Sequence, residues 1–368
     1  YYRAYSLNSA AERPASDVLA VKTMAFAKPG DIAGLRISGG ANSASIRWTF
    51  AYDTFYKVMR SDKENGTYAV VADKVDGTSY VDEGLTNGQT YYYKVQPYNE
   101  AGEGNASAIL KATPEAGKYM HLAFDENEGT TAYDEWGGYD GTFLQGASFA
   151  EGRNEGYAAK LVKSSKSYIE LPKGALSRLS DFTIATWIKI PGGKGRIFDF
   201  GSGAGTFMMA AATGTGVRYK ITCEKGVFDY TAPCKWTAND WHHLVITQKG
   251  TEMAFYFDGE EVGTAVNEKE VYPKDMGVTT QNWLGRSQWA SDAYCDHVYD
   301  DFRIYNYAIE ASDVTKLFED KEIVTGITQL EDRSNGVRSE AIYDLQGRKV
   351  SHPVKGIYIQ KGKKFVVK

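Results

Sequence analysis

Short stretches in which apolar and polar residues alternate run through most of the chain, and they constrain the fold more than any other feature. Examples are TIATWIKI, MAFYFDG and TYYYKVQPY, with turns rich in Gly, Asn and Asp between them. A period of two is typical of β-strands that are buried on one face. Helical periodicity is nearly absent, and the best helix candidate is the short AIEASDVTKLFED. The sequence therefore predicts an all-β chain built from sandwiches.

Length and composition limit the classes of protein. The 368 residues indicate two or three domains, and the 42% of apolar residues suffice for buried cores. Net charge is −5 with Lys and Arg scattered, so we expect no nucleic-acid partner. No run approaches the ~18 apolar residues of a membrane span. Because the chain opens on Tyr1 without a Met, we expect it to be a piece of a longer protein, with any signal peptide upstream.

Three cysteines, Cys223, Cys234 and Cys295, are too few for a disulfide scaffold. Cys223 and Cys234 are close enough in sequence to form a disulfide across a hairpin. Cys295 would then remain unpaired. We prefer the prediction of three free thiols, because a large core needs no covalent link.

Aromatic residues in the first third of the chain fall at positions typical of one sandwich. Trp48 in ASIRWTF and Tyr56 in FYKVMRS occupy alternating, core-facing positions, and GLTNGQTYYYKV places Leu85 six residues before Tyr91. That spacing lets a Tyr at a strand start return its hydroxyl to the preceding turn. These residues resemble the fibronectin type III module, and the ring of Tyr91 is predicted to belong to its core and corner.

The resemblance sets two boundaries. Residues 27–115 are assigned to a complete fibronectin type III module, and residues 1–26 resemble the tail of a preceding module of the same family. In secreted polysaccharide-degrading proteins such modules usually act as spacers, so the resemblance implies a spacer role.

Residues 116–320 contain nine strand-like stretches in a fixed order. They are MHLAFDENEGTTAYD, GYDGTF, SYIELP, DFTIATWIKI, GRIFDFG, DWHHLVIT, MAFYFDGEEVG, WLGRSQW and YDDFRIYNYAI. The succession resembles the laminin-G-like, concanavalin-type jelly roll, which implies two antiparallel sheets, one of them concave. Members of this family differ in whether they bind glycans.

Two adjacent acids, Asp300 and Asp301, lie in the last of these stretches. Neighbouring side chains of a strand point to opposite faces. We therefore expect Asp300 to share a face with Phe302, and Asp301 to form a weak surface ion pair with Arg303. Carboxyls on opposite faces cannot act on one glycosidic bond, which needs them roughly 5–10 Å apart across a common substrate. The pair is predicted to be non-catalytic.

A buried carboxylate such as that of Asp300 needs a partner. In jelly-roll glucanases, which this stretch resembles, an Asp three residues before an Arg binds a structural calcium. The resemblance implies that Asp125 and the carbonyl of Gly156 join Asp300 there, and oxygen ligands suit calcium. Structural calcium is thus the one expected cofactor. The alternative, in which backbone N–H groups alone hold Asp300, agrees equally well with the sequence.

No active site is predicted within the chain. Jelly-roll glycosidases carry E-x-D-x-x-E on one strand, and no such run occurs between Lys118 and Asp320. His242 and His243 alternate in direction and have no Cys or acid at ligand spacing, so structural histidines are predicted. The sequence also has no G-x-S-x-G, H-E-x-x-H or P-loop motif.

Sugar-binding modules combine aromatic faces with polar groups, because sugar C–H faces stack on rings and hydroxyls need hydrogen-bonding partners. Trp187 and Trp241 match apolar family positions and are predicted to pack. The predicted ligand-binding residues lie in loops, and they are Trp136 in DEWGGYD and Trp283, Arg286, Trp289 and Tyr294 in NWLGRSQWASDAY. Trp236 before TANDW is a further candidate. Alternatively, the rings of the second loop cap the sandwich.

The last part of the chain, residues 321–368, is predicted to form a small β unit. Gly-centred turns separate AIYDLQGRKV and KGIYIQKGKKFVVK, in which Tyr, Ile and Val alternate with polar residues. The segment resembles C-terminal tails of secreted or surface proteins of glycan-degrading Gram-negative bacteria, some of which are secretion signals.

Together the resemblances imply a non-catalytic, carbohydrate-binding region of a multimodular glycan-processing protein that is secreted or held at the outer cell surface. The expected partners are a polysaccharide or glycan and the catalytic domain of the same parent protein. A structural or protein-adhesion role is the alternative, and a glycoside hydrolase in its own right ranks last.

Overall fold

The computed structural model describes residues 27–321 and 323, together with four strand segments beyond residue 340. The chain divides into two compact units between Ile323 and Val324, and each is described by itself. The predicted module tail at residues 1–26 lies outside the described residues.

Residues 27–115 form a sandwich of short antiparallel strands. The strands are β1 (Arg36–Gly40), β2 (Ser43–Arg47), β3 (Phe55–Ser61), β4 (Ala69–Val75), β5 (Ser79–Glu83), β6 (Tyr91–Asn99), β7 (Gly102–Glu103) and β8 (Leu110–Ala112). One sheet has the order β1-β2-β5 and the other β4-β3-β6-β7, with β8 paired to β6. Trp48, Tyr56 and Tyr91 lie in the core between them, as predicted. The Tyr91 hydroxyl accepts a hydrogen bond from the Thr86 N–H at 3.1 Å, which confirms the predicted corner.

A second, larger sandwich follows. Its strands are β9 (Lys118–Leu122), β10 (Thr131–Ala132), β11 (Gly141–Leu144), β12 (Ser148–Glu151), β13 (Tyr157–Lys160), β14 (Tyr168–Leu171), β15 (Phe182–Lys189), β16 (Lys194–Gly201), β17 (Phe207–Thr213), β18 (Gly216–Cys223), β19 (Gly226–Pro233), β20 (Trp241–Lys249), β21 (Glu252–Phe257), β22 (Glu260–Val266), β23 (Gln281–Leu284) and β24 (Val298–Tyr305). Sheet A has the order β10-β11-β14-β23-β16-β17-β18-β19. Sheet B has the order β12-β13-β24-β15-β20-β21-β22, with β9 paired to β24.

Helical structure in the described residues is limited to short elements. The α-helix α1 spans Ala311–Phe318, within the segment predicted to be helical, and two 3₁₀ turns span Lys163–Ser165 and Pro273–Met276. Val314 and Leu317 of α1 pack against Ala185 and Val245 on the outer face of sheet B. Sheet B is thus covered on both faces, by sheet A and by α1.

The all-β fold class is confirmed by these antiparallel sheets. The alternation in TIATWIKI sends Ile184 and Ile188 into the core between the sheets and Ala185 toward α1. Because both faces are covered, nearly every residue of β15 is buried. The three cysteines are free thiols, as preferred from the sequence.

Strand β24 breaks the alternation at the adjacent acids. Asp301 has the left-handed φ of +53°, and the register with β15 shifts at this point, which is the mark of a β-bulge. Tyr299 and Phe302 consequently both lie in the core, and Asp300 and Asp301 both point away from it. The expectation that Asp300 shares a face with Phe302 is wrong, and so is the expectation that Asp300 and Asp301 lie on opposite faces. The bulge adds one residue between the two core positions, which puts both acids on the same side.

The second unit contains a four-stranded antiparallel sheet of order β26-β25-β27-β28. Its strands are β25 (Ile342–Asp344), β26 (Lys349–Val350), β27 (Gly356–Gln360) and β28 (Lys363–Val367). In the described part of the whole chain, no helix has the length and apolar character needed to cross a membrane.

Candidate functional site

The outer face of sheet A carries a row of polar and aromatic side chains in register. Glu170 of β14 lies opposite Trp283 of β23, which in turn lies opposite Asp199 of β16. The row continues through Met209 to Lys220. The neighbours of these residues along each strand, such as Phe198 and Phe200, fill the core. Strand alternation therefore places the row on the face away from sheet B.

Arg286 gathers three aromatic rings at one end of this face. Its guanidinium carbon lies 4.0 Å from the centre of the Trp283 ring, 4.5 Å from that of Tyr168 and 6.0 Å from that of Tyr294. The Trp283 indole N–H donates to a Glu170 carboxylate oxygen at 3.0 Å. Three of the predicted ligand-binding residues, Trp283, Arg286 and Tyr294, are thus brought together, and Tyr168 joins them.

The exposure of these side chains separates their roles. Trp283 is only 5% exposed and its face is covered by Arg286, so it offers no free face for stacking. This burial favours the alternative, in which the Trp283 ring caps the sandwich, over its predicted role as a stacking surface. Arg286 and Tyr294 are half-buried and remain reachable from solvent.

Trp289 lies on the same face of sheet A but farther along it. Its ring packs edge-on against Phe207 at 4.8 Å and is half-buried. The loop that carries it is fixed to the sheet, because Arg196 donates to both Ser287 and Asp292 at 2.8 Å. The loop therefore covers the middle of the outer face.

Asp199 lies beneath this loop and is fully buried. One carboxylate oxygen accepts the Gln288 N–H at 3.1 Å, and the other has no hydrogen-bonding partner. Burial raises the pKa of Asp199 to about 7, against the lowering effect of the Arg196 guanidinium. Asp199 was not among the predicted site residues, although its place between two core phenylalanines in GRIFDFG is a recognisable signal.

Asp199 and Glu170 are two carboxyls on one face, separated by strand β23, so their backbones lie roughly 10 Å apart. A hydrolytic pair must reach water and substrate. Asp199 is closed off by the loop above it, and Glu170 is hydrogen-bonded to Trp283. This arrangement is therefore structural.

Trp136 is not part of the sheet A cluster. Its ring packs against His121 at 4.9 Å and Tyr305 at 5.2 Å, on the outer side of sheet B. The His121 ring contacts Glu135 at 2.8 Å and Asp301 at 2.5 Å. Burial acts to lower the pKa of His121, but its hydrogen bonds to Asp301 and Glu135 outweigh burial and raise it.

The predicted ion pair between Asp301 and Arg303 is present, with 2.8 Å between Oδ1 and Nε. It is half-buried and shares Asp301 with His121, so it belongs to a larger network than a weak surface pair. Burial raises the pKa of Asp301, but hydrogen bonding by His121 and the charge of Arg303 bring it down to about 2.

The three residues predicted to bind calcium lie around the turn between β12 and β13. Asp300 accepts the Arg153 N–H at 2.9 Å, and Asp125 accepts the Tyr157 N–H at 2.8 Å, next to Gly156. These bonds match the alternative of backbone N–H groups holding Asp300. Burial raises the pKa of Asp300 to about 6, and the nearby negative charge of Asp125 contributes to the increase.

Two carboxylates that repel each other next to backbone carbonyls fit the oxygen-donor chemistry of calcium. Within residues 27–321, no group of three or more His, Cys, Asp or Glu side chains could hold a metal ion. A calcium site at Asp300, Asp125 and the Gly156 carbonyl therefore stays a prediction.

The remaining candidates have packing roles. Trp236 is 7% exposed and donates its indole N–H to the Gly216 carbonyl at 3.0 Å, so its candidacy as a binding residue is wrong. His242 contacts the Asp258 carboxylate at 2.8 Å, and burial lowers the pKa of His243 to about 3. These features favour the predicted structural role of both histidines. Trp187 stacks on Phe318 of α1.

The second sandwich, with two large antiparallel sheets enclosing one core, has the architecture of a lectin-type jelly roll. Residues 163–315 match the family model for the concanavalin A-like lectin/glucanases superfamily, Laminin_G_3. This segment is similar to concanavalin-like domains, and it contains both the Arg286 cluster and Trp289. The match covers less than half of the chain. The resemblance of residues 27–115 to fibronectin type III modules is not confirmed.

A comparison with curated protein sequences gives no match. Solved structures of similar fold include domain 4 of AbnA, an extracellular arabinanase from Geobacillus stearothermophilus, in complex with arabinotriose. It is 23% identical, with a TM-score of 0.45, and the match covers 55% of this chain and 98% of that domain.

Two toxin domains show a comparable likeness. The binding domain of Paraclostridial Mosquitocidal Protein 1 is 17% identical, with a TM-score of 0.45, over 55% of this chain and 52% of that one. The ligand binding domain of botulinum neurotoxin serotype D, in complex with N-acetylneuraminic acid, is 14% identical, with a TM-score of 0.43. The match covers 55% of this chain and 51% of that one. The chain thus spans about half the length of these two toxin domains. At these scores the likeness carries no functional information.

Proposed function

We propose that the chain is a non-catalytic glycan-binding region of a larger, multimodular protein that processes glycans at the cell surface or after secretion. Its ligand is a polysaccharide or glycan, bound on the outer face of sheet A. The catalytic domain of the parent protein is the expected intramolecular partner. A tether of this kind raises the local concentration of substrate without any chemistry of its own.

The observation that carries this proposal is the cluster around Arg286. A half-buried guanidinium that lies over the rings of Trp283 and Tyr168 has its N–H groups held in place by these contacts. Fixed donors lose little entropy on binding, and sugar hydroxyls are suitable acceptors. Tyr294 beside it and Trp289 farther along the face supply aromatic surface for sugar C–H groups.

The position of the cluster supports the proposal as well. α1 packs on the outer face of sheet B, and within residues 27–321 it is the one α-helix. Among the described residues, the loop that carries Trp289 covers the middle of the outer face of sheet A. A long polymer can lie across such a face.

Retention on immobilised polysaccharides tests the proposal. The protein is run through native gels that contain plant or host polysaccharides, beside its Trp289→Ala and Trp136→Ala variants. We expect retardation for the wild type and for Trp136→Ala, and its loss in Trp289→Ala. Retardation that disappears only in Trp136→Ala would move the site to sheet B, and no binding to any glycan would refute the proposal.

A structural or adhesive role is the second candidate, and two side chains of the first sandwich favour it. Phe50 is 66% and Tyr52 is 89% exposed in one short loop. Exposed aromatic pairs are typical of protein contacts. Under this alternative, Phe50→Ser would weaken association with the catalytic domain, while glycan retention would be absent from the wild type.

A further inference from the structure

A cleft of about 420 Å³ lies between the two sandwiches of the first unit. The first sandwich supplies Asn42, Ser43 and Glu83 to its walls. The second supplies Tyr139, Arg178 and Asn306. Clefts of this size between domains are common positions for ligand sites.

The walls of the cleft are fixed relative to each other by backbone hydrogen bonds and charges. The Ala41 N–H donates to the Lys118 carbonyl at 2.7 Å, and Arg47 donates to the Asp134 carbonyl at 2.9 Å. Arg47 also forms an ion pair with Asp140. The two sandwiches are therefore joined by direct bonds on one side of the cleft.

The turn that forms the floor of the cleft is rigid. The fully buried carboxylate of Asp134 accepts backbone N–H groups of Trp136, Gly137 and Tyr139 at 2.7–3.1 Å. A side chain at Gly138 would place its Cβ 1.9 Å from the Ser45 hydroxyl of the first sandwich. Close contact of this kind fixes the shape of the cleft before any ligand arrives.

The chemistry of the walls suits a neutral, hydroxyl-rich ligand. Tyr139 stacks on Tyr119 with 5.1 Å between ring centres, so its ring is held in place and half-buried. Amide, hydroxyl, carboxylate and guanidinium groups surround it, and Glu83 and Arg178 pair with each other across the cleft. Val81 is the one aliphatic side chain larger than alanine in the lining, which disfavours an apolar peptide.

We propose that this junction cleft is a second binding site, for a short neutral oligosaccharide, built jointly by both sandwiches. The choice of a sugar as ligand rests on the glycan-binding function proposed above. The location of the site is independent of that proposed function, because no residue of the Arg286 cluster lines the cleft. The first sandwich then supplies half of a site and is more than a spacer.

Calorimetric titration with cellotetraose, xylotetraose, mannotetraose and linear arabinotetraose tests this site. The titrations use the whole chain in a background of Arg286→Ala with Trp289→Ala, which removes the sheet A site. Val81→Trp is added to fill the cleft. Val70→Trp is the matched control, because Val70 is 55% and Val81 43% exposed on the same sandwich.

We expect the background variant to keep measurable binding of one probe, and Val81→Trp to weaken it by about tenfold or more. Val70→Trp should leave it unchanged. Binding lost completely in the background variant, or equal in the two Trp variants, would overturn the cleft while leaving the sheet A site intact. Wild-type protein that binds none of the four probes would overturn both sites.

Discussion

The ring of His121 contacts the carboxylate of Asp301 at 2.5 Å, although the two residues are 180 positions apart in sequence. The contact joins strand β9 to the bulge in β24, and the second ring nitrogen reaches Glu135. A histidine between two carboxylates holds its proton more tightly in the folded state than in the unfolded state. The stability of the second sandwich is therefore linked to pH.

His121→Gln tests that link. Because the folded pKa of His121 lies above its ordinary 6.5, its contribution is complete below about pH 6.5 and is lost as the pH rises through the folded pKa. We expect the free energy of unfolding of the wild type to fall as the pH rises above about 6.5. The variant should be less stable at about pH 6 by roughly 1–3 kcal/mol. Urea titrations measure this, and equal pH slopes for the two proteins would contradict it.

Asp199→Asn should stabilise the protein above neutral pH. The folded pKa of Asp199 is raised to about 7 from 3.8, so the folded state holds the extra proton, and stability falls as the pH rises between those values. The shift sets an upper limit of roughly 4 kcal/mol on this loss. We expect a higher Tm for the variant at about pH 8 and little difference at about pH 4. A variant that is less stable at about pH 8 as well as at about pH 4 would contradict a destabilising charge on Asp199.

Gly138→Ala should loosen the junction of the two sandwiches. Gly138 has a φ of +85°, and the added Cβ would overlap the Ser45 side chain, so we expect a loss of about 2–3 kcal/mol. Gly192→Ala is the control, because Gly192 has a φ of +82° but no atom within 4 Å of an added Cβ. It should lose only about 1 kcal/mol. Limited proteolysis between the sandwiches measures the difference, and equal cleavage of the two variants would exclude close packing as the cause.

Arg286→Ala should weaken glycan binding by about tenfold or more, since it removes the planar donors. Arg286→Lys keeps the charge but not the planar guanidinium that lies over the Trp283 ring. We expect it to bind nearly as poorly as the alanine variant. Calorimetry with the retained polysaccharide checks this, and full binding by the lysine variant would mean that charge alone is recognised.

Calcium should raise the melting temperature if Asp300, Asp125 and Gly156 bind it, because a ligand of the native state alone stabilises that state. We expect Tm to fall on adding a chelator, and Asp300→Asn to abolish this response. Asp296→Asn is the control, because Asp296 likewise accepts a backbone N–H, from Lys163 at 2.7 Å. A wild-type Tm that does not respond to chelator would favour the alternative in which backbone N–H groups alone hold Asp300.

Period-two patterns predicted the strands and most of the packing because they report on local geometry. Ile184 and Ile188 alternate into the core as the pattern requires, and Tyr91 reaches back to Thr86 at the expected spacing. The helix at Ala311–Phe318 was also visible in the sequence. These features depend on neighbours within a few residues.

The candidate site was less predictable because it depends on contacts between distant segments. The left-handed backbone of Asp301 sends Asp300 and Asp301 to the same side, and nothing in the letters YDDFRIY marks that bulge. The sequence places both Trp136 and Trp283 in loops and gives no sign that their surroundings differ. Sheet order nevertheless places Trp136 against Tyr305 and Trp283 beneath Arg286.

The bonds between the two sandwiches have a mechanical consequence. A domain on a flexible linker can rotate, so the direction of a polymer bound to it is independent of the orientation of the rest of the protein. Arg47 of the first sandwich donates a hydrogen bond to the Asp134 carbonyl of the second. The two sandwiches therefore keep a fixed orientation relative to each other. A glycan bound on the outer face of sheet A, as proposed, would therefore keep a fixed orientation relative to the first sandwich.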